Sequence, residues 1–213
     1  MDTLFIAILI FLIVLIIYLI IQLYTRYKND SINKEYTPKP IHKHTESQPV
    51  TNSGKRNILF TLSHKTKIYE LEIELFNTDL PITCKNFRHM CFNGLHNKTY
   101  KNACFDKVIK GRFIQLENIF SDKKSIYGKN FRDESFKYKH SFPGVLSMVN
   151  TGQDTNNTEF FITTKSCPNL DGKNVVFGRV VKGLCHLFII QNCIVDKDNK
   201  PEDEIKIIDI KEV

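Results

Sequence analysis

The first pattern along the chain is an unbroken apolar run. From Leu4 to Ile21 all eighteen side chains are apolar, and Leu23 and Tyr24 continue the run past Gln22. At about 1.5 Å per residue that length crosses a hydrocarbon core as one helix. Residues 25–56 then lose every period, with Pro38, Pro40, Pro49 and Ser53-Gly54 breaking a polar stretch. That composition predicts an extended or disordered tether.

From Asn57 onward the pattern is mostly that of strands. Ile58-Leu59-Phe60-Thr61-Leu62 leads into a clean alternation in which Tyr69, Leu71, Ile73 and Leu75 face one way and Glu70, Glu72 and Glu74 the other. Two half-buried strands in a hairpin fit it. Pro81 suits a helix entry, and Cys84, Phe87 and Cys91 at i, i+3 and i+7 make an apolar stripe that stops before Gly94. Five further strands are expected at Phe105–Ile109, Arg112–Gln115, Val145–Met148, Phe160–Thr163 and Phe177–Val180. A second helix over Lys182–Asn192 would turn Leu184, Leu187, Phe188 and Ile190 inward, and Ile205–Val213 closes the chain as an eighth strand.

Length and charge add boundaries. The 213 residues divide into an anchor at 1–24, a tether at 25–56 and a domain at 57–213, large enough for one core. A cleaved signal peptide would need a basic start, a shorter apolar run and a small-residue cleavage site, none of which is there. Arg26, Lys28 and Lys34 follow the run and only Asp2 precedes it, so the positive-inside rule places the C-terminal domain in the cytosol of a single-pass protein. The opposite orientation would make Asn29, Asn97 and Asn156 glycosylation acceptors. The formal charge of +7 comes from seven basic against four acidic residues up to Arg56 and 23 against 19 after it. No Lys/Arg cluster is interleaved with aromatics, which argues against nucleic acid.

The six cysteines contain no C-x-x-C pair and sit among apolar neighbours, as buried free thiols do. His42 and His44 lie in the tether as solvated side chains rather than metal ligands, and neither a metal nor a cofactor is expected.

Four segments carry a more specific signal: Phe105-Asp106-Lys107-Val108-Ile109-Lys110-Gly111, Phe142-Pro143-Gly144-Val145-Leu146-Ser147-Met148, Glu159-Phe160-Phe161-Ile162, and Leu170-Asp171-Gly172-Lys173-Asn174-Val175-Val176-Phe177-Gly178. With Thr83-x-x-Asn86-Phe87-Arg88, and in this order, they resemble the core of the cyclophilins, the peptidyl-prolyl cis-trans isomerases, over residues 57–213. The resemblance implies a mostly β fold, a closed antiparallel eight-stranded barrel capped by two α-helices. Here one N-terminal transmembrane helix would precede it. It also implies activity on X-Pro bonds without any cofactor.

In that family an arginine on a barrel strand aims a donor at the proline nitrogen, and the matching position here is Lys107. Gln115 matches the glutamine that orients this arginine. Phe113, Phe161 and Leu170 match the apolar lining of the proline pocket, whereas Arg112 replaces an aromatic. Asn169 stands where many members carry a tryptophan and Asn174 where they carry a histidine, so cyclosporin binding is expected to be weak. Asn150, after Ser147-Met148-Val149, matches the residue whose main chain holds substrate. Val149 and Thr151 replace small residues, and Glu159 replaces a glutamine. The loop Leu116–Lys123 is shorter than usual and lacks glycine, which implies a reshaped second pocket. Phe105, Phe160 and Phe177 read as barrel core instead.

Two readings share the groove. One is a membrane-tethered isomerase with a degraded site and weak activity. The other is a catalytically silent cyclophilin fold that binds proline-containing segments of a partner protein.

Overall fold

The computed structural model describes residues 12–24, 56–116, 119–120 and 124–213. The chain splits into two compact units, residues 1–49 and 50–213, each described by itself. In the first, residues 12–24 form a helix whose apolar side chains are exposed. Among the described residues no helix is long and apolar enough to cross a membrane. The span expected over Leu4–Ile21 lies partly outside them, and the tether to residue 55, with His42 and His44, wholly so.

The second unit contains eight strands: β1 (Ile58–His64), β2 (Lys67–Leu75), β3 (Phe105–Ile109), β4 (Phe113–Leu116), β5 (Val145–Met148), β6 (Phe160–Thr163), β7 (Val176–Lys182) and β8 (Ile205–Glu212). Two helices, α1 (Pro81–Phe92) and α2 (Leu184–Ile190), accompany them. Every pairing is antiparallel, in the order β3-β4-β6-β5-β7-β2-β1-β8. The barrel is nearly closed, a correction to the full closure expected. Between the terminal strands β3 and β8 there is only an isolated bridge, Cys104 to Lys206. Asn102 N–H donating to the Ile207 carbonyl at 2.7 Å, and Ile207 N–H to that of Ala103 at 2.9 Å, satisfy the backbone along this seam.

Alternation decides which face is buried. In β2 the inward set Tyr69, Leu71, Ile73 and Leu75 is buried as expected. β8 departs from strict period two because its register against β1 shifts between Thr61 and Leu62, which face Asp209 and Ile207. The extra residue, Ile208, explains why Ile207 and Ile208 are adjacent in the sequence.

Pro81 opens α1, whose N-cap residue Leu80 offers no side-chain bond. Glu134 supplies the missing acceptor, taking bonds from Ile82 N–H at 2.9 Å and from Thr83 N–H and Oγ1 at 2.8 Å. A carboxylate there also faces the positive end of the helix dipole. The α1 stripe drives Phe87 into the barrel mouth, its ring 5.0 to 5.9 Å from those of Phe60, Tyr100, Phe160 and Phe177. At the start of α2, Gly183 has φ 87°, and an added Cβ would lie 2.0 Å from the Glu70 carbonyl oxygen, so only glycine fits. Leu184, Cys185, Leu187 and Ile190 are buried, whereas Phe188, expected inward, is half-buried at the helix flank. All six cysteines are free. Four are buried, but Cys104 and Cys193 are half-buried, short of the burial expected for the whole set.

Candidate functional site

Four strands carry two rows of side chains across the barrel wall. Phe105 faces Leu116, Leu116 faces Phe160, and Phe160 faces Met148, all of them buried in the interior. One residue along, Lys107 faces Gln115, Gln115 faces Phe161, and Phe161 faces Ser147. Successive strand residues point to opposite faces, so this second row lies on the outer wall.

The row exists because β3 is bulged. Its register jumps from Phe105 opposite Leu116 to Lys107 opposite Gln115, with Asp106 as the extra residue. Without the bulge Asp106 would occupy the place opposite Gln115 and Lys107 would turn to the other face. Adjacent glutamine and lysine side chains on antiparallel strands are within reach of each other and of one ligand.

Phe113, two residues from Gln115 on β4, shares its face, and its ring lies 5.0 Å from that of Phe161. Both rings are nearly buried although they are outside the barrel, because loops cover them. His140 stacks on Phe161 at 5.8 Å and 13°. On the other ring, the Arg112 guanidinium carbon stands 5.4 Å from the Phe113 centroid. Leu170 ends the short 3-10 turn Pro168–Leu170 and is half-buried.

The remaining expected residues form a second group. Val149 and Asn150 follow β5, and Val149 N–H donates to the Glu159 carbonyl at 3.0 Å. Asn150 donates its side-chain amide to the Lys173 carbonyl at 2.7 Å, and Asn174 donates its own to the Met148 carbonyl at 3.0 Å. The two asparagines thus lace the end of β5 to the 171–175 loop, which gives Asn174 a structural task. Glu159 is buried. Thr151 and Asn169 are exposed, and among the described residues neither bonds to the Lys107–Ser147 row. Within the Leu116–Lys123 loop, residues 117–118 and 121–123 lie outside the described residues. A cleft of about 420 Å³ lined by Leu95, His96, Ser125 and Ile126 contains none of the expected site residues.

Behind Phe161 lies a buried chain that the sequence pattern did not reveal. The Asp171 carboxylate accepts bonds from the His140 backbone N–H at 2.8 Å and pairs with ring Nδ1 at 2.9 Å. Ring Nε2 lies 2.9 Å from Ser147 Oγ. Burial holds the imidazole below its ordinary pKa against the pull of Asp171. Burial also pushes the Asp171 carboxyl up, but the two bonds from His140 outweigh it and leave it below the usual carboxylate range. With the ring proton on Nδ1, Nδ1 donates to Asp171, and the single Ser147 hydroxyl hydrogen lies between two acceptors, Nε2 and the Val175 carbonyl at 3.1 Å. Ser147 and His140 are inaccessible, so the chain acts as a rigid backing for Phe161 and offers no nucleophile to solvent. The available signal was Ser147 itself, a lone hydroxyl in an otherwise apolar strand.

Comparisons with known proteins bear on the fold and the family. The family described as cyclophilin type peptidyl-prolyl cis-trans isomerase/CLD matches residues 60–212. Peptidyl-prolyl cis-trans isomerase H of Mycosarcoma maydis is 43% identical over 147 residues, which span 64% of this chain and 93% of that protein. Peptidyl-prolyl cis-trans isomerase 9 of Caenorhabditis elegans is 41% identical over 164 residues, 72% of this chain and about half, 53%, of the relative. The crystal structure of a cyclophilin type peptidyl-prolyl cis-trans isomerase of Cryptosporidium parvum superposes with a TM-score of 0.67 at 36% identity, covering 75% of this chain and 98% of that one.

Proposed function

The chain belongs to the cyclophilin-type peptidyl-prolyl cis-trans isomerase family, and on that premise we propose that it binds X-Pro segments of proteins and isomerises them slowly. The observation that carries this reading is the outer row, with a cation and an amide side by side at Lys107 and Gln115 next to the Phe113–Phe161 pair. Rotation about an X-Pro bond breaks amide resonance, a barrier of about 20 kcal/mol. In the twisted state the proline nitrogen becomes pyramidal and regains its lone pair. A donor aimed at that lone pair binds the transition state better than either ground state.

Phe113, Phe161 and Leu170 form the apolar seat for the pyrrolidine ring. Lys107 is the donor, Gln115 steadies it and meets the substrate backbone, and the main chain of Asn150 pairs with the extended peptide. Val149, Thr151 and Glu159 border that stretch. Lysine supplies the charge but not the flat fork of an arginine, whose several donors are held in one plane. Its ammonium is flexible and strongly hydrated, so the rate enhancement is small.

A second reading, a silent module that only holds proline-containing segments, is favoured by one group of positions. Lys107, Arg112, Asn169 and Asn174 all depart from the family pattern, and the Asn174 side chain is occupied by the Met148 carbonyl. Loss of aromatic walls at 112 and 169 weakens ring burial by on the order of 1 kcal/mol each, and cyclosporin binding is correspondingly weak.

A protease-coupled isomerisation assay on the full chain, kept in mild detergent, separates the two. We expect low but measurable turnover that disappears in Lys107→Ala and rises roughly tenfold in Lys107→Arg. Turnover unaffected by Lys107→Ala would remove this residue from the donor role. No turnover in any variant, with peptide binding intact, would leave the silent module.

The N-terminal apolar run supports tethering to a membrane, with the domain on the cytosolic side. Protease digestion of intact vesicles made from expressing cells should then remove the domain without detergent. Protection of the domain would reverse the orientation.

A further inference from the structure

Arg112 replaces an apolar wall with a charge, and its surroundings give that charge a use. Its main chain is fixed from both sides. Its N–H donates to the Ile109 carbonyl at 3.0 Å, and its carbonyl accepts Thr164 N–H at 2.9 Å. Cys167 Sγ approaches the same carbonyl at 3.5 Å. The preceding Gly111, at φ 69°, donates its N–H to Gln191 Oε1 at 2.9 Å and so pins the turn. The guanidinium therefore starts from a fixed Cα and lies against the Phe113 ring. A ring face holds a cation without using any of its N–H donors.

No carboxylate among the described residues lies within ion-pair distance of it. Among the described residues Arg112 has no salt bridge, and neither have Lys107, Lys110 and Lys165. Lys165 and Asp171 are the other charges felt at Cys167 beside it, and Asp171 is committed to the backbone and ring of His140. This rim of the groove thus carries an excess of positive charge and a guanidinium fork whose only side-chain hydrogen-bond partner among the described residues is the neutral Cys167 thiol.

The position of the fork relative to the row selects what it meets. With the proline nitrogen at Lys107 and the ring on Phe113, the residue before proline is bonded to the nitrogen and stays at the Lys107 end. The residues after proline leave through Cα, away from Lys107 and toward Arg112, which lies three residues before Gln115 in the turn that leads into β4. We propose that Arg112 makes this groove selective for X-Pro segments in which proline is followed by an anionic side chain, carboxylate or phosphate. The inference rests on the X-Pro binding reading above and specifies its substrate class. A planar guanidinium suits both anions, since each offers two oxygens to parallel N–H donors.

Titration of the full chain in detergent with fluorescein-labelled hexapeptides tests it. The peptides place glutamine, glutamate or phosphoserine after an Ala-Pro core, and one places glutamate before proline instead. Glutamate and phosphoserine after proline should bind roughly three- to tenfold tighter than glutamine at low salt, and the ratio should shrink at 0.5 M NaCl. The ratio should fall to about one in Arg112→Gln and return in part in Arg112→Lys. A ratio near one in the unaltered protein, a preference that survives Arg112→Gln, or a stronger effect of glutamate before proline overturns the proposal. Failure of every peptide, the glutamine control included, overturns the X-Pro binding reading itself.

Discussion

The two rows on β3, β4, β6 and β5 differ by a single residue step and by almost everything else. Phe105, Leu116, Phe160 and Met148 point inward and make an all-apolar layer closed by Phe87. Lys107, Gln115, Phe161 and Ser147 point outward and mix a cation, an amide, an aromatic ring and a hydroxyl. The inner row is constrained by volume and by exclusion of water, so any side chain of the right size and polarity serves. On the proposed function, the outer row is constrained instead by the peptide held against it. Adjacent phenylalanines, Phe160 and Phe161, thus belong to two different layers: one fills the core, the other lies on the outer wall against His140.

The largest effect should come from breaking the inner row. Phe160→Ala removes a fully buried ring that packs on Phe60, Phe87, Tyr100 and Phe105, and should cost about 3–5 kcal/mol in chemical denaturation. Phe161→Ala should cost less stability, about 1–3 kcal/mol, because its ring leans on a loop and not on the closed core. Its proline-peptide affinity, read by fluorescence anisotropy, should drop at least roughly tenfold. Equal stability losses for the two would erase the distinction between the rows.

The backing of the outer row should show itself in pH. His140 is neutral in the folded protein with a lowered pKa, so the unfolded chain takes up a proton first as pH falls below about 6.5. Stability should therefore decline on acidification through that window. Asp171, whose pKa is also lowered, adds a further loss only near and below its ordinary value of about 4. Thermal melts of His140→Asn should have a flatter slope between pH 7.5 and 5, and an unchanged slope would mean that the imidazole is not held neutral. The smallest stability effect belongs to Lys107→Ala, which should leave the denaturation midpoint within about 0.5 kcal/mol while affecting turnover alone.

Much of the inner row was legible because burial imposes a period. The alternation in β2, the Cys84–Phe87–Cys91 stripe of α1 and the Pro-Gly and Asp-Gly punctuation are local properties that any water-excluding core requires. The outer row was legible only by resemblance. Nothing in Phe105-Asp106-Lys107 announces a bulge, since a bulge is a relation between two strands and appears only when β4 is laid beside β3. The His140–Ser147–Asp171 chain escaped for the same reason: it joins three loop and strand positions through contacts across the fold. Phe188 was misassigned where a short helix flank overrode the simple period.

By itself, then, the sequence determined the strand and helix inventory and the apolar core, because hydrophobic periodicity is written residue by residue along the chain, while the family was legible through the resemblance its motifs carry. Tertiary structure decided which face Lys107 occupies, how the barrel seam stays nearly closed and what stands behind Phe161. Those outcomes depend on register and loop closure between distant segments, and no local pattern encodes them.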